Sequence, residues 1–252
     1  MPIAYTRTVS PALSACALTH VARAPIDVAR AVAQHAAYEQ VLAGAGCRVR
    51  RLPDLPHAPD GVFVEDTAVL LGRHAVITRP GETARAAETA SVAAAFAGDF
   101  TVAHLAKGML DGGDVLRVGS TLFVGQSTRT DAAGAASLAA LVRPLGFGVV
   151  GIAVHGCLHL KTAATWLGDA LLVNPDWIDT APFGTLPCLR VAEGENWAAN
   201  TLRIGDMILA AAGNPRTNAQ LRQRGYTVQE LDIEELQKAE AGLTCMSLIS
   251  LE

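Results

Sequence analysis

The chain is poor in aromatic residues, at 5% of 252, and poor in charge, with 17% Asp, Glu, Lys and Arg. Its core bulk must therefore come from Ala, Val and Leu, and hydrophobic residues make up half of it. A formal charge of −4 with no basic run argues against nucleic acid and anionic membrane as partners. The five cysteines form no CxxC pair and are odd in number, which offers no zinc cluster and points to free thiols in a reducing compartment, the cytoplasm. No apolar run approaches the roughly 18 residues of a membrane span. The stretch SPALSACALTH (10–20) contains Ser, Thr and His, and reads as a loop rather than a signal core.

What is present is a repeat. Four segments share an extended run, a glycine turn and a second extended run, with turn glycines Gly72, Gly119, Gly168 and Gly205 spaced by 47, 49 and 37 residues. Glycine permits the positive φ of tight hairpin turns. Helical stretches follow three of them, at 81–98, 129–146 and 215–226, and short strands follow the last two, at 147–154 and 226–233. A unit of this period suggests a solenoid or propeller; an ordinary α+β domain with several hairpins is the alternative. The strand-like ends 2–8 and 244–251 would close a ring by pairing, with 25–46 as that unit's helix and 47–53 as its inner strand. One domain, 1–252, is expected.

The repeat places polar residues at equivalent ends of the hairpins: Asp66, Asp114, His159 and Asn200, with Cys245 in the last unit, on the strand-like run 244–251. A catalytic thiol needs a proton-transfer partner and a group to hold that partner. His159 alternates with Leu158 and Leu160 at the start of a hairpin, so it should face the ring's interior; His155 is its nearest competitor. His20, His35, His57, His74 and His104 read as surface or satisfied core. In LDGGDV (110–115), either Asp111 or Asp114 could fix an imidazole tautomer. Glu65 and Asp66 interrupt the apolar run PDGVFVEDTAVLL and Asp60 begins it, which suggests carboxylates awaiting a cation, because unpaired buried charge is costly. Arg85 and Arg129 could grip a carboxylate at the ligand's other end.

PDGVFVED, ITRPGETAR, LDGGDV, GQSTRT, LHLKT, AAN, GNPRT, GY and GLTC occur in this order. On these motifs the chain resembles the dimethylarginine dimethylaminohydrolases of the guanidino-group modifying superfamily over nearly its whole length. The resemblance implies a five-bladed α/β propeller (pentein) with pseudo-fivefold ββαβ repeats. It also implies hydrolysis of Nω-methylated arginines to citrulline plus methylamine or dimethylamine through a covalent cysteine thiouronium. By position it makes Cys245 the nucleophile, His159 the general acid/base and Asp111 the orienting acid. Asp60, Glu65 and Asp66 become substrate-side acids, and Arg85 and Arg129 bind the amino-acid end. Leu18 falls in a mobile lid, and the carbonyl of Ala239 meets the substrate. No metal or organic cofactor is implied; zinc held by the thiol and histidine would inhibit. The partner is a small molecule, and a homodimer is left open.

Three alternatives stand beside this reading. Arginine deiminases carry an acid two residues after the histidine, where this chain has Lys161. An amidinotransferase would pass the amidino group to an amine. A catalytically idle propeller would only bind arginine-like ligands.

Overall fold

The computed structural model describes residues 1–250. The chain begins with β1 (Ile3–Thr6), α1 (Val28–Gly44) and β2 (Arg48–Arg51). The second unit is β3 (Ala68–Leu71), β4 (His74–Ile77), α2 (Ala86–Phe96) and β5 (Thr101–His104). The third is β6 (Val115–Val118), β7 (Thr121–Gln126), α3 (Ala132–Val142) and β8 (Gly148–Ala153). A single turn, α4 (Leu160–Ala163), leads into the fourth: β9 (Ala164–Trp166), β10 (Leu171–Val173) and β11 (Cys188–Arg190). The fifth is β12 (Leu202–Ile204), β13 (Met207–Ala211), α5 (Pro215–Gln223) and β14 (Thr227–Leu231). A short α6 (Glu234–Gln237) and the final β15 (Leu248–Ser250) complete the described chain.

These strands form five three-stranded mixed sheets. In each, the middle strand has one antiparallel and one parallel neighbour. In four of the sheets the antiparallel neighbour is reached by a short turn, in three of which Gly72, Gly119 and Gly205 adopt φ of 59°, 59° and 58°; in the fifth, β1 pairs with the last strand instead. A parallel neighbour requires a long crossover, and four of the five crossovers contain a helix. Asp27 and Asp131 start two of these helices by accepting the N–H groups of Arg30 and Gly134. The fourth unit has only a 3-10 turn, Ala181–Phe183, which ends at Gly184 with φ 63°.

The apolar interior is distributed over five seams, each between neighbouring units. Tyr5, Leu52 and Leu248 meet Val64, Ala75 and Phe96 between the first and second. Val69 and Val76 meet Leu122 and Leu138 between the second and third. Phe123 and Ile152 meet Ala164 and Leu171 between the third and fourth. Leu172 and Val191 meet Ile208 and Leu221 between the fourth and fifth. Leu209 and Ile233 return to Tyr38 and Leu42 of the first. The ring is therefore closed, and β1 seals it by pairing antiparallel with β15, Ile3 opposite Ser250 and Tyr5 opposite Leu248.

Two local expectations are corrected. Cys245 lies not on a strand but in a 3-10 turn, Thr244–Met246, whose first N–H, that of Thr244, is taken by Asn200 Oδ1 before the strand begins at Leu248. The last residue of the expected strand, 251, lies outside the described residues. His159 does not open the hairpin; it is the extended residue before α4, and the hairpin begins at Ala164.

If the seams hold the ring, Leu138→Ala, at a fully buried position, should cost about 2–5 kcal/mol. Urea unfolding measures it; a shift below about 1 kcal/mol would assign the cohesion elsewhere.

Candidate active site

The innermost strands β3, β6, β9, β12 and β15 surround an axial cavity of about 460 Å³. Four of them are entered through a tight turn: Val64–Thr67, Gly112–Asp114, α4 and Thr244–Met246. That shared geometry gathers residues far apart in sequence. Asp66, His159 and Cys245 line one small cavity of about 20 Å³, with Asp60, Arg85, Arg129 and Ala239. Neither Cys245 nor His159 lines the larger axial cavity, so the two meet only at the smaller. Asp114 and Asn200, expected at equivalent positions, do not reach it. Asp114 instead accepts the Leu160 N–H (2.8 Å) and the Ser127 hydroxyl (2.6 Å), which anchors the segment after His159. His155 is exposed.

His159 is 3% exposed, and one ring nitrogen, Nε2, lies 3.1 Å from Asp111 Oδ2. Of the two acids considered, Asp111 is thus the one hydrogen-bonded to the ring. Nδ1 lies 3.8 Å from Asp66 Oδ1. Burial alone would lower the imidazole's pKa, but Asp66, Asp111 and Asp114 outweigh it and raise it to about 9. The charge of His159 and the guanidinium of Arg85 overcome burial at Asp66 and hold it down at about 2. Gly113 permits this approach: a Cβ there would sit 2.6 Å from His159 Nδ1 and 2.7 Å from Asp66 Oδ1. Its N–H donates to Asp66 Oδ1 at 3.0 Å. Ligand atoms of Asp66, Asp111 and His159 lie within 4.8 Å of one another, close enough to hold a cation.

Cys245 is 8% exposed, and its sulfur accepts the Gly242 N–H at 3.3 Å. Burial, then the charges of Glu65 and Asp66, push the thiol up to about 12. At pH 7 the resting thiol is therefore neutral.

The other expected residues divide. Arg129 donates to Thr19 Oγ1 at 3.2 Å, and among the described residues it has no carboxylate partner. Arg85 lines the cavity but is committed elsewhere: Nη1 donates to Asp66 Oδ2 at 2.5 Å, Nε and Nη2 to Glu88, and Nη2 to the Phe63 carbonyl. Asp60 accepts the Ala17 N–H. Glu65, expected on the substrate side, lines the axial cavity and not the small one. Its carboxylate faces the axial cavity, held by Lys161 Nζ at 2.5 Å and Thr244 Oγ1 at 2.6 Å. Leu18 does not line the small cavity either; it packs on the apolar cluster below, and its neighbour Ala17 lines it.

Glu240 had no signal in the sequence. It adopts φ 58°, lines the cavity, and accepts the N–H groups of Thr19 and His20 at 2.5 and 2.6 Å. These bonds hold the 10–20 loop over the site. A cavity of about 20 Å³ has room for about one water.

No family model matches the chain. It is 38% identical over 247 residues to N(G),N(G)-dimethylarginine dimethylaminohydrolase of Streptomyces coelicolor, covering 97% of this chain and 95% of that one. It is 33% identical over 232 residues to the Pseudomonas aeruginosa protein of the same name, covering 88% and 89%. The structure of a Cys→Ser mutant of the Pseudomonas aeruginosa protein complexed with citrulline superposes with TM-score 0.90 at 31% identity, covering 98% of each chain. A dimethylarginine dimethylaminohydrolase His→Gly adduct with S-methyl-L-thiocitrulline gives 0.91 at 31%, again over 98% of each. Similarity to the N-terminal domain of ArgZ, a cyanobacterial arginine dihydrolase, is one of fold alone, at TM-score 0.85 and 20% identity. With five mixed sheets in a closed ring, the fold is the five-fold α/β pentein.

The raised His159 pKa has a defined sign. The imidazolium's contribution to folding is fully present below about 6.5 and is lost as pH rises through about 9. An NMR titration of His159 should show it protonated at pH 7 with a midpoint near 9, falling in Asp66→Asn. A wild-type midpoint at or below 6.5 would mean that the surrounding acids do not act on it.

Proposed function

The chain belongs to the dimethylarginine dimethylaminohydrolase family, hydrolases acting on a guanidino group, and from that premise we propose that it converts Nω-methylated L-arginines to L-citrulline with release of methylamine or dimethylamine. The observation that carries this reading is that Cys245, His159 and Asp66 line one enclosed cavity with Arg129. Such a cavity offers a carboxylate to a guanidinium and a guanidinium to a carboxylate.

The chemistry follows from the substrate's charge. A guanidinium carbon is a weak electrophile because its positive charge is delocalised. Asp66 fixes that cation against the sulfur, and orientation of this kind replaces a large entropic barrier. The cation in turn favours thiolate over thiol by direct attraction. The Cys245 proton passes to solvent, to be recovered by the expelled amine once it is released, and attack of sulfur on the guanidinium carbon gives a tetrahedral adduct. His159 donates a proton to the methylated nitrogen through the ring nitrogen that Asp111 does not hold. The carbon–nitrogen bond breaks and a thiouronium remains on Cys245. His159, now neutral, takes a proton from water as its oxygen attacks that carbon. Collapse restores the thiol and leaves the oxygen in the ureido group of citrulline. Water is the only co-substrate, and neither metal nor organic cofactor enters the sequence.

At the other end of the substrate, Arg129 pairs with the α-carboxylate. Asp60, the carbonyl of Ala239 and the loop bearing Leu18 meet the α-ammonium end. Arg85 acts mainly by holding Asp66, and Glu65 acts below the site rather than on the substrate. Residues 1–252 act as one catalytic unit.

Lys161 supports the choice of substrate. An acid at this position would grip a second guanidinium nitrogen, but Lys161 is turned away to Glu65 and lines the axial cavity. The far side of the guanidinium is left without that grip and can accept methyl groups.

Citrulline formation from Nω,Nω-dimethyl-L-arginine, Nω-methyl-L-arginine and L-arginine tests this reading. The methylated substrates should turn over at least tenfold faster, and a preference for plain arginine would reject it. Cys245→Ser should abolish turnover while citrulline affinity stays within a few-fold; unchanged turnover would assign another nucleophile.

A further inference from the structure

Asn200 touches neither cavity-lining sulfur nor imidazole, yet it binds the backbone of both segments that carry them. It sits in the turn before β12 and is 6% exposed. Its Oδ1 accepts the Thr244 N–H at 3.0 Å, one residue before Cys245. Its Nδ2 donates to the Lys161 carbonyl at 2.9 Å, two residues after His159, and to Thr244 Oγ1 at 3.1 Å. The amide orientation is dictated by these partners: reversed, it would set NH₂ against an N–H and oxygen against a carbonyl. Gly242 makes room, since a Cβ there would lie 2.2 Å from Asn200 Cγ.

The knot closes through Glu65. Thr244 Oγ1 accepts from Asn200 and donates to Glu65 Oε2 at 2.6 Å, while Glu65 Oε1 holds Lys161 Nζ at 2.5 Å. Glu65 adjoins Asp66. Three chain segments, carrying the sulfur, the imidazole and the substrate-side carboxylate, are thus tied together. Every donor and acceptor named is used consistently, so the knot has one geometry.

We propose that Asn200 is a positioning residue of the reaction: its carboxamide sets the separation of the Cys245 sulfur from the His159 imidazole by bonding the backbone on both sides. This rests on the hydrolase reading above. A displacement on the order of 1 Å at reacting atoms costs about 10²-fold in rate, and the ligand's own contacts at Arg129 and Asp60 are left in place.

The test is a double-mutant cycle on methylarginine hydrolysis, with thermal melts to confirm folding. Asn200→Ala and Thr244→Val should each lower kcat about 100-fold with KM within about threefold of wild type. Their combination should be no more than about threefold worse than the poorer single variant, because both cut one link. Thr244→Ser, which keeps the hydroxyl, should stay within about threefold of wild type. The proposal is overturned if folded Asn200→Ala keeps its kcat, if the loss falls on KM, or if the two losses multiply. Should Asn200→Ala not fold, the contrast of Thr244→Val with Thr244→Ser decides, and equal kcat in those two rejects the knot. Alkylation by iodoacetamide needs no substrate, so it separates this inference from the hydrolase reading. Cys245 should react several-fold faster in Asn200→Ala, or in Thr244→Val if the former does not fold. An unchanged rate overturns the proposal even if wild type hydrolyses methylarginine. A changed rate in a chain that forms no citrulline would instead reject the hydrolase reading and leave the knot standing.

Discussion

The site depends on one pairing, that of the last strand with the first. β15 runs antiparallel to β1, with Ile3 opposite Ser250. That contact fixes the 3-10 turn bearing Cys245 relative to the rest of the ring. A ring made of sequential units has an open seam wherever its ends fail to meet. Here the seam is closed by backbone hydrogen bonds and by Tyr5 and Leu248 in one apolar cluster with Phe96. The segment bearing Cys245 therefore lies near the end of the chain and is held by its first strand.

Above that frame, the electrostatics follow a single rule: buried charges occur in compensating groups. Asp66 is shared by Arg85 and His159, Arg85 by Asp66 and Glu88, and Glu65 by Lys161 and Thr244. Asp66 keeps acceptor capacity on the cavity side, and Arg129 keeps donors there. The resting cavity thus offers one anionic and one cationic end, the charge pattern of an amino acid bearing a guanidinium. In the proposed mechanism the neutral thiol fits this scheme, because its activation waits for the ligand's own charge. The closed loop above, bonded by Asp60 and Glu240, limits the water that would screen these interactions.

Much of this was legible in the sequence. The turn glycines marked four hairpins correctly, the intervening helical stretches marked the crossovers, and strand-like ends marked the closing unit. Those signals are local: a positive φ needs glycine, and an amphipathic period needs only neighbours three or four residues away. The motif LDGGDV showed acids and close-packing glycines but left Asp111 and Asp114 open, because both flank the same turn. The structure separates them by direction: Asp111 meets the imidazole and Asp114 turns to the Leu160 N–H. Glu65 and Asp66 are adjacent and both buried, yet they face different cavities, since successive residues of a tight turn point apart. Glu240 gave no sign, because its role comes from partners about 220 residues away.

By itself, then, the sequence determined the repeat, the closing of the ring by its two ends, and the set of residue types that can handle a guanidinium. Which acid serves the histidine, which arginine remains available, and how Asn200 joins two distant segments were decided only by tertiary structure. Local patterning reports which backbone conformations are cheap. It does not report the direction of a side chain whose partners are brought close only when five separate sheets pack into a ring.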